Sequence, residues 1–334
     1  MKKIAYAIIA FIFLICFGSW GFLVHRTINQ LAVYQLPKPM QPFFYENMDS
    51  IVRNSIRPDQ RRNQDSTEAP KHFIDLEPFG DSASWKMPLT WDEAVLKFSK
   101  DSLIKYGYVP YWILAMKEKL TNAFRNGNKD SIIFYAADMG HYIGDANVPL
   151  HTTLNYDGQL TGQRGLHALW ESVIPEIELT HYDFYNRHKA RYLEQPERAI
   201  WSAIRRAHLL LNDMLEKERE VSKRFTDSTK YRYQKRNGRD YRYYTTAFAK
   251  DYSLALAPSI NDQLVFSSNL MADFWFTCWV DGGKPDLNNL LKEPFTRSKK
   301  KDLKKERKAY KRGNLLEKKL LISRKDVVVD PANQ

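Results

Sequence analysis

The chain has 334 residues, 43% of them hydrophobic, which is enough for one large folded domain or two small ones. The formal net charge is +12, but fourteen Lys/Arg and three Asp/Glu between Arg297 and Lys325 account for +11 of it, so the remainder of the chain is near +1 (12 − 11). The high positive charge is therefore no argument that the folded body binds a polyanion. We interpret residues 297–334 as a basic, solvated C-terminal tail, with contact to anionic surfaces as the alternative.

The N-terminus has the pattern of a targeting segment. Two lysines precede an apolar run of fourteen residues, 4–17, which is shorter than the roughly 20 residues needed to span a membrane. Small residues follow at Gly18 and Ser19, so we predict a signal peptide over residues 1–19 and an exported protein, periplasmic or secreted. Lipid attachment at Cys16 is a less favoured alternative, because the bulky Ile15 precedes it.

Removal of that segment would leave Cys278 as the only cysteine. An intramolecular disulfide and a thiolate zinc site are then both excluded. Any zinc site would have to be built from His, Asp and Glu.

Apolar residues recur at helical intervals through most of the remaining chain, and no alternating strand pattern stands out. We predict an all-α fold, a single mostly helical domain over residues 20–296, with long loops at 57–89 and 147–165 that carry His and Asp residues. A basic, tyrosine-rich stretch at 228–244 interrupts the C-terminal helices. The predicted helices cover residues 22–36, 90–107, 110–127, 129–146, 197–225 and 254–280.

Two histidine–carboxylate pairs have the spacing of neighbours on a helix face. His141 precedes Asp145 by four residues, and His167 precedes Glu171 by four. Side chains at this spacing lie about 5–6 Å apart at Cβ, so each pair could hold one cation between imidazole and carboxylate, both ordinary zinc ligands. Either pair alone would more often be a solvated helix face. Four further candidates occur singly, namely His25, Asp59, His72 and His151, whereas His181, His188 and His208 are predicted to be structural or surface residues.

The ordered set of these residues resembles the trinuclear zinc phosphodiesterases, the family of zinc-dependent phospholipase C and the S1/P1 nucleases. The family pattern is an N-terminal Trp and a nearby His, then Asp, His, H-x-x-x-D, His, and H-x-x-x-D/E. Here it is matched between residues 20 and 171 by "WGFLVH", "RPDQRR", "KHFID", "HYIGDANVPLH" and "HALWE". The stretch "FWFTCWVDGGKPDL" near 274–287 looks like the family's closing helix, and the basic tail lies outside the match.

The resemblance implies three zinc ions in one helical domain. The first ion would be held by Asp59, His72, His141 and Asp145. The second would be held by His151, His167 and Glu171, leaving room for water and substrate. The third would be held by His25 with the backbone amine and carbonyl of Trp20, and Asp145 would bridge the first and third ions.

This ligand set implies an enzyme that hydrolyses phosphate esters with a zinc-bound hydroxide. Asp59 would orient or deprotonate the attacking water, and Asp75 and Phe73 are candidates for substrate contact. Glu171 at the last position resembles the phospholipases, whereas the short "WGFLVH" spacing resembles the nucleases. We favour a phospholipase C type of activity, with an S1/P1-type single-strand nuclease or nucleotidase as the alternative. A non-catalytic secreted zinc-binding protein is the second alternative.

Overall fold

The longest helices follow the apolar periodicity of the sequence. The computed structural model describes residues 20–236 and 239–324, so the predicted signal peptide over 1–19 lies outside the described residues. Eight helices longer than eight residues are labelled here: α1 (Trp20–Gln35), α2 (Val109–Arg125), α3 (Lys129–Asp145), α4 (Pro196–Leu209), α5 (Leu211–Ser222), α6 (Thr246–Leu256), α7 (Ser259–Asp281) and α8 (Arg297–Lys311).

Shorter elements connect these helices. Two antiparallel strands, β1 (Tyr231–Arg236) and β2 (Arg239–Tyr244), form a hairpin with Tyr231 opposite Tyr244. The short α-helices are Gln41–Glu46, Met48–Asn54, Arg57–Arg61, Ala83–Lys86, Trp91–Phe98, Lys100–Tyr106, Leu166–Ala168, Ile174–Glu178 and Asp227–Lys230, with a π-helical turn at Leu169–Val173 and 3₁₀ turns at Ala69–Lys71, Glu77–Phe79, Pro149–Thr152, Leu179–His181, Leu287–Leu290 and Ile322–Arg324.

The expected mostly helical fold is confirmed, but three predicted helices are each divided in two. The 90–107 segment breaks at Ser99, whose φ of 69° ends one helix and whose hydroxyl caps the next by accepting from Ser102 N. The 254–280 segment breaks before α7 at Pro258, which has no N–H to donate to a helix. The 197–225 segment divides at Leu210, where the sequence offers no proline or glycine.

The prediction that no strands are present is wrong for the 228–244 stretch. Tyrosines and basic residues alternate there, and buried Tyr231 and Tyr244 anchor the base of the hairpin to the protein. The Asn-Gly dipeptide at 237–238 is a strong hairpin signal between two such runs. The strand pattern was missed because the residues that alternate here are basic and aromatic, as in the cross-strand pairs Arg232–Tyr243 and Tyr233–Arg242, and not polar and aliphatic.

The core forms around α1, which packs against α3, α7 and the 3₁₀ turn Ile322–Arg324, while α2 packs against α3 and α7. Because α1 is surrounded, even its polar residues Asn29 and Gln30 are fully buried. Asn29 Nδ2 donates to His25 O at 2.8 Å, and Gln30 Nε2 donates to Leu320 O at 2.8 Å. A second apolar cluster lies between α5, α6, the hairpin base and the Leu166–Ile174 segment.

The basic tail is not the solvated appendage that its charge predicts, at least as far as residue 324. On one face of α8, Leu303, Ala309 and Tyr310 are buried against the core. Glu306 accepts hydrogen bonds from Tyr34 Oη at 2.8 Å and Tyr45 Oη at 2.9 Å. These apolar residues form the buried face of the basic helix, and most of its lysines lie on the exposed face.

Among the described residues, none of the helices combines the length and the apolar character that crossing a membrane requires.

Candidate metal centre

The C-terminal end of α3 supplies two residues of the centre, His141 and Asp145. Both are buried. His141 Nδ1 lies 2.8 Å from Ser55 O, and because a carbonyl can only accept, Nδ1 carries the proton. The Nε2 lone pair of His141 therefore points into the centre, where Asp145 Oδ2 lies 3.3 Å away.

Asp145 places its two carboxylate oxygens among different imidazoles. Oδ2 lies 2.9 Å from His72 Nδ1, whereas Oδ1 lies 3.4 Å from His25 Nε2 and 3.7 Å from His151 Nδ1. One carboxylate thus contacts side chains from three separate segments of the chain. This is the geometry expected of a carboxylate that bridges two cations.

His25 reaches the centre from the middle of α1. Its ring stacks on that of His141, with centroids 4.0 Å apart. Its Nε2 also lies 3.9 Å from Glu171 Oε1. The start of α1 lies beside Ser172, the residue after Glu171, because a Cβ built on Gly21 would lie 3.6 Å from Ser172 Oγ. The helix begins at Trp20, whose proposed role as a backbone ligand stays a prediction.

His72 and His151 are brought together by pairing between their two loops. In the turn after α3, His151 N donates to Val148 O at 3.1 Å. His151 Nδ1 then donates to His72 O at 2.8 Å, and Ile74 N donates to His151 O at 2.9 Å. Because Nδ1 of His151 carries the proton, its Nε2 lone pair is directed inward.

His167 and Glu171 complete this side of the centre. Their His167 Nε2 to Glu171 Oε2 distance is 2.6 Å, and His151 Nε2 lies 3.2 Å from His167 Nε2. The chain between them is wound as the π-helical turn Leu169–Val173, a feature often found at functional sites. The side chain of His167 is 33% exposed, against 9% for His151, so this side of the centre is open to solvent.

Asp59 approaches the centre from the short helix Arg57–Arg61. Its Oδ1 lies 3.7 Å from both His72 Nδ1 and His141 Nε2. The side chain is 29% exposed and pairs with Arg62 at 3.4 Å. The Asp59 carboxylate is thus near two buried imidazoles and is also partly exposed to solvent.

Charges in the centre are strongly coupled. Burial and the neighbouring His25 lower the pKa of His141 to about 3. Burial opposes charge on His151, but Asp145 and Glu171 raise its pKa to about 9. Burial would raise the pKa of Asp145 and of Glu171, yet the adjacent imidazoles hold both pKa values well below their usual range. The buried carboxylate of Asp145 and the partly buried carboxylate of Glu171 are therefore kept ionised and require positive charge beside them.

The side chains fit metal ions. Imidazole nitrogens face one another at 3.1 Å between His141 Nε2 and His72 Nδ1, and two facing lone pairs need a proton or a cation between them. Three groups have ligand atoms close enough to hold an ion: His25, His141 and Asp145; Asp59, His72 and His141; and His151, His167 and Glu171.

The two candidates for substrate contact are in different surroundings. Asp75 is buried, and burial together with Glu77 raises its pKa to about 7. Phe73 is half-buried, and Gly107, at φ +83°, lies so close that an added Cβ would be 2.2 Å from Phe73 O. Phe73 therefore packs against the chain that leads into α2, and the predicted substrate role of both residues stays a prediction.

The three remaining histidines are outside these groups. Two of them do have carboxylate partners that the sequence did not reveal: His188 Nε2 pairs with Asp273 Oδ1 at 2.8 Å, and His181 Nδ1 pairs with Glu178 at 2.8 Å. His208 Nδ1 lies 3.0 Å from Thr152 Oγ1. The structural or surface role expected for these three histidines stays a prediction.

Two residues next to the centre were not predicted from the sequence. Glu68 precedes His72 by four residues and lies 3.7 Å from its Nε2. The same four-residue spacing identified the other His–carboxylate pairs, so "EAPKH" held the signal. The second residue is Gly144, because a Cβ added there would lie 2.9 Å from His25 Nδ1. No local sequence pattern predicts that contact.

Similarity to known proteins is found among solved structures. No protein-family model matches the chain, and no curated protein is similar to it. Among solved structures, the alpha toxin from Clostridium absonum is similar over 81% of this chain, with 12% sequence identity and a TM-score of 0.46. The chain spans 65% of that structure's length, so it corresponds to less than two thirds of it.

Proposed function

We propose that this protein is an exported, zinc-dependent hydrolase of phosphate esters that binds three zinc ions. The observation that carries the proposal is the sharing of ligands between adjacent groups. Asp145 has one oxygen toward His25 and the other toward His72, and His141 belongs to two of the three groups. Separate structural metal sites do not share ligands in this way, and they saturate each ion with protein atoms.

The described residues would each contribute a definite part to such a reaction. Zinc ions at this centre would supply hydroxide at neutral pH and would neutralise charge on the phosphate. Asp59, partly exposed and next to two imidazoles, would orient the attacking water and accept its proton. His167 and Glu171 line the open side, where a phosphate ester can enter. His141 and His151 are held with Nε2 inward by carbonyl acceptors on Nδ1, which limits reorganisation.

Substrate class is the finer part of the proposal. We favour a phospholipase C type of substrate, because Glu171 in the last position resembles the phospholipases. Contact with anionic surfaces would be assisted by the exposed face of α8, where Lys300, Lys301, Lys304 and Lys305 face solvent. Lysines near an anionic membrane contribute on the order of 1 kcal/mol each.

A single-strand nuclease is the second candidate, and the hairpin is the observation that favours it. Tyr233 is 63% exposed and lies opposite Arg242 in the hairpin, and Tyr241, next to Arg242 in the chain, is 44% exposed. The hairpin borders the loop before His167, because Arg242 Nη2 donates to Arg164 O at 3.3 Å. Exposed aromatic and cationic side chains are what stacking on single-stranded bases requires.

The test measures hydrolysis of several substrates by a single preparation of zinc-loaded protein that begins at Trp20. A phosphatidylcholine emulsion, single-stranded DNA and a small soluble phosphodiester are assayed in parallel, with metal-stripped protein as the control. Hydrolysis of the lipid supports the phospholipase, and hydrolysis of the DNA supports the nuclease. Tight zinc binding without hydrolysis of any substrate would indicate the non-catalytic zinc-binding protein instead.

A further inference from the structure

A buried carboxylate, Glu68, lies behind His72 on the side away from the metal centre. Its residue exposure is 1%. Lys71 Nζ donates to Oε2 at 2.8 Å, Arg61 Nη2 donates to Oε1 at 3.2 Å, and Tyr142 Oη donates to Oε1 as well. Three donors hold this carboxylate in one orientation.

The same cluster fixes the helix that carries Asp59. Arg57 Nη2 lies 2.5 Å from Asp138 Oδ1, and Arg61 Nη1 lies 2.8 Å from Asp138 Oδ2. Asp138 is 2% exposed and lies on α3, one turn before His141. Arg61 therefore connects Glu68 to α3, and the segments that bear Asp59 and His72 share one buried ionic cluster.

Glu68 is the acidic group toward which the outer nitrogen of His72 points. His72 Nε2 is buried and makes no hydrogen bond among the described residues. Glu68 Oε1 lies 3.7 Å from it, a distance that allows electrostatic attraction but is longer than a hydrogen bond. The inner nitrogen, Nδ1, lies 2.9 Å from Asp145 Oδ2, within hydrogen-bond distance, and 3.7 Å from Asp59 Oδ1, so an ion bound by Nδ1 would take the place of a proton shared with Asp145.

We propose that Glu68 is a positioning residue for metal binding, which keeps the proton of His72 on Nε2 and the lone pair on Nδ1. This rests on the proposed function, in that the Asp59, His72 and His141 group must bind an ion. A carboxylate behind a metal-bound imidazole fixes its tautomer and raises its basicity. The contacts of Arg61 with Glu68 and Asp138 would then hold Asp59 and His72 at fixed positions relative to His141 on α3.

The first experiment replaces the charge and keeps the shape. Glu68→Gln is compared with Glu218→Gln, a matched control. Glu218 is also 1% exposed and also contacts a lysine, Lys230 Nζ at 2.7 Å, and a tyrosine, Tyr244 Oη at 3.0 Å, but it has no histidine neighbour. Zinc affinity is measured by competition with a chromophoric chelator, and thermal unfolding of the metal-free proteins reports the fold.

We expect Glu68→Gln to weaken the binding of one zinc ion about 10- to 100-fold, the range found for partners of metal-bound histidines. Glu218→Gln should bind zinc as the wild type does, even if its thermal stability falls by a similar amount. Wild-type zinc affinity in a folded Glu68→Gln protein would overturn the proposal, as would an equal loss of affinity in both variants.

A second measurement needs no variant. It tests the proposed tautomer of His72 directly, even if Glu68→Gln fails to fold. ¹⁵N NMR of histidine-labelled, zinc-loaded wild type should show His72 protonated at Nε2 and bound through Nδ1. Protonation at Nδ1, or metal bound through Nε2, would overturn the assignment to Glu68 while leaving the hydrolase intact. A wild type that binds no zinc would instead remove the proposed function, and this proposal with it.

Discussion

His25 Nδ1 lies against the backbone of Gly144, so close that a Cβ on Gly144 would approach it to 2.9 Å. The contact brings α1 and α3 together where each carries a residue of the metal centre. His25 can stack on His141 only because nothing projects from α3 at residue 144. A glycine inside a helix costs about 1 kcal/mol relative to alanine, so its presence here is explained by the packing of His25.

Gly144→Ala should displace the His25 ring and reduce zinc binding by about one ion per molecule, with loss of most hydrolysis. Alanine favours the helix itself, so the effect should come from the clash. Gly140→Ala is the control one turn earlier, where the added Cβ would meet the Asn29 amide in place of an imidazole. It should destabilise the protein and retain the metal. Zinc content is measured by atomic emission, and equal zinc in both variants would contradict the interpretation.

Asp145→Asn should lower zinc content by more than one ion and abolish phosphodiester hydrolysis. The amide cannot supply two anionic oxygens, one toward His25 and one toward His72. Asp273→Asn is the matched control, because Asp273 is also buried at 3% exposure and also pairs with a histidine, His188. Its zinc content and turnover should be unchanged in folded protein. An Asp145→Asn protein with full zinc content would show that the carboxylate does not bridge.

Asp75 should make stability depend on pH. Its pKa in the folded protein is about 7, above the ordinary value of 3.8, so the folded state binds this proton more tightly than the unfolded state. Protonation of Asp75 therefore stabilises the folded state fully below about pH 4, and this stabilisation is lost as the pH rises through about 7. It amounts to at most roughly 4 kcal/mol.

Asp75→Asn should remove that contribution, so the variant should gain stability relative to wild type between pH 4 and 7. Urea unfolding of both proteins at several pH values measures it, with the exposed Asp81→Asn as the control. Parallel stability curves for wild type and Asp75→Asn would rule out a buried, proton-binding Asp75.

The basic helix α8 should be needed for stability. Tyr310 is 3% exposed, with its ring 5.5 Å from that of Tyr34 and 5.2 Å from that of Tyr185. Tyr310→Ala should lower the free energy of unfolding by about 3 kcal/mol, typical of deleting a buried aromatic ring. Lys304→Ala on the exposed face should change it by less than about 0.5 kcal/mol. Urea denaturation that gave the same midpoint for both variants would indicate that α8 is not docked.

A chain that begins at Trp20 should bind one more zinc ion than a chain extended by a single methionine. A free α-amine has a pKa of about 7.7–8 and can give its lone pair to zinc near neutral pH, whereas an amide nitrogen inside the chain cannot. Zinc counts, hydrolysis and thermal unfolding of the two forms are compared. The extended form should fold and lose most hydrolysis, and three zinc ions with full activity in that form would defeat the amine ligand.

Four members of the candidate metal centre could be named from the sequence because they form two pairs with a local, four-residue spacing. Four residues on a helix place His141 beside Asp145 whatever the rest of the chain does, and the same holds for His167 and Glu171. The order of the other His and Asp residues then supplied the family resemblance. The mostly helical fold followed from apolar periodicity in the same way, since each helix buries one face of its own segment.

Only the tertiary structure decided which distant residues meet. His72 and His151, 79 positions apart in sequence, meet through hydrogen bonds between their two loops, and the absence of a side chain at Gly144 leaves room for His25 between two helices. The tail was misjudged for the same reason. Its charge predicts solvation, whereas burial of Leu303 and Tyr310 depends on a complementary surface along α1, which no property of residues 297–324 alone can reveal.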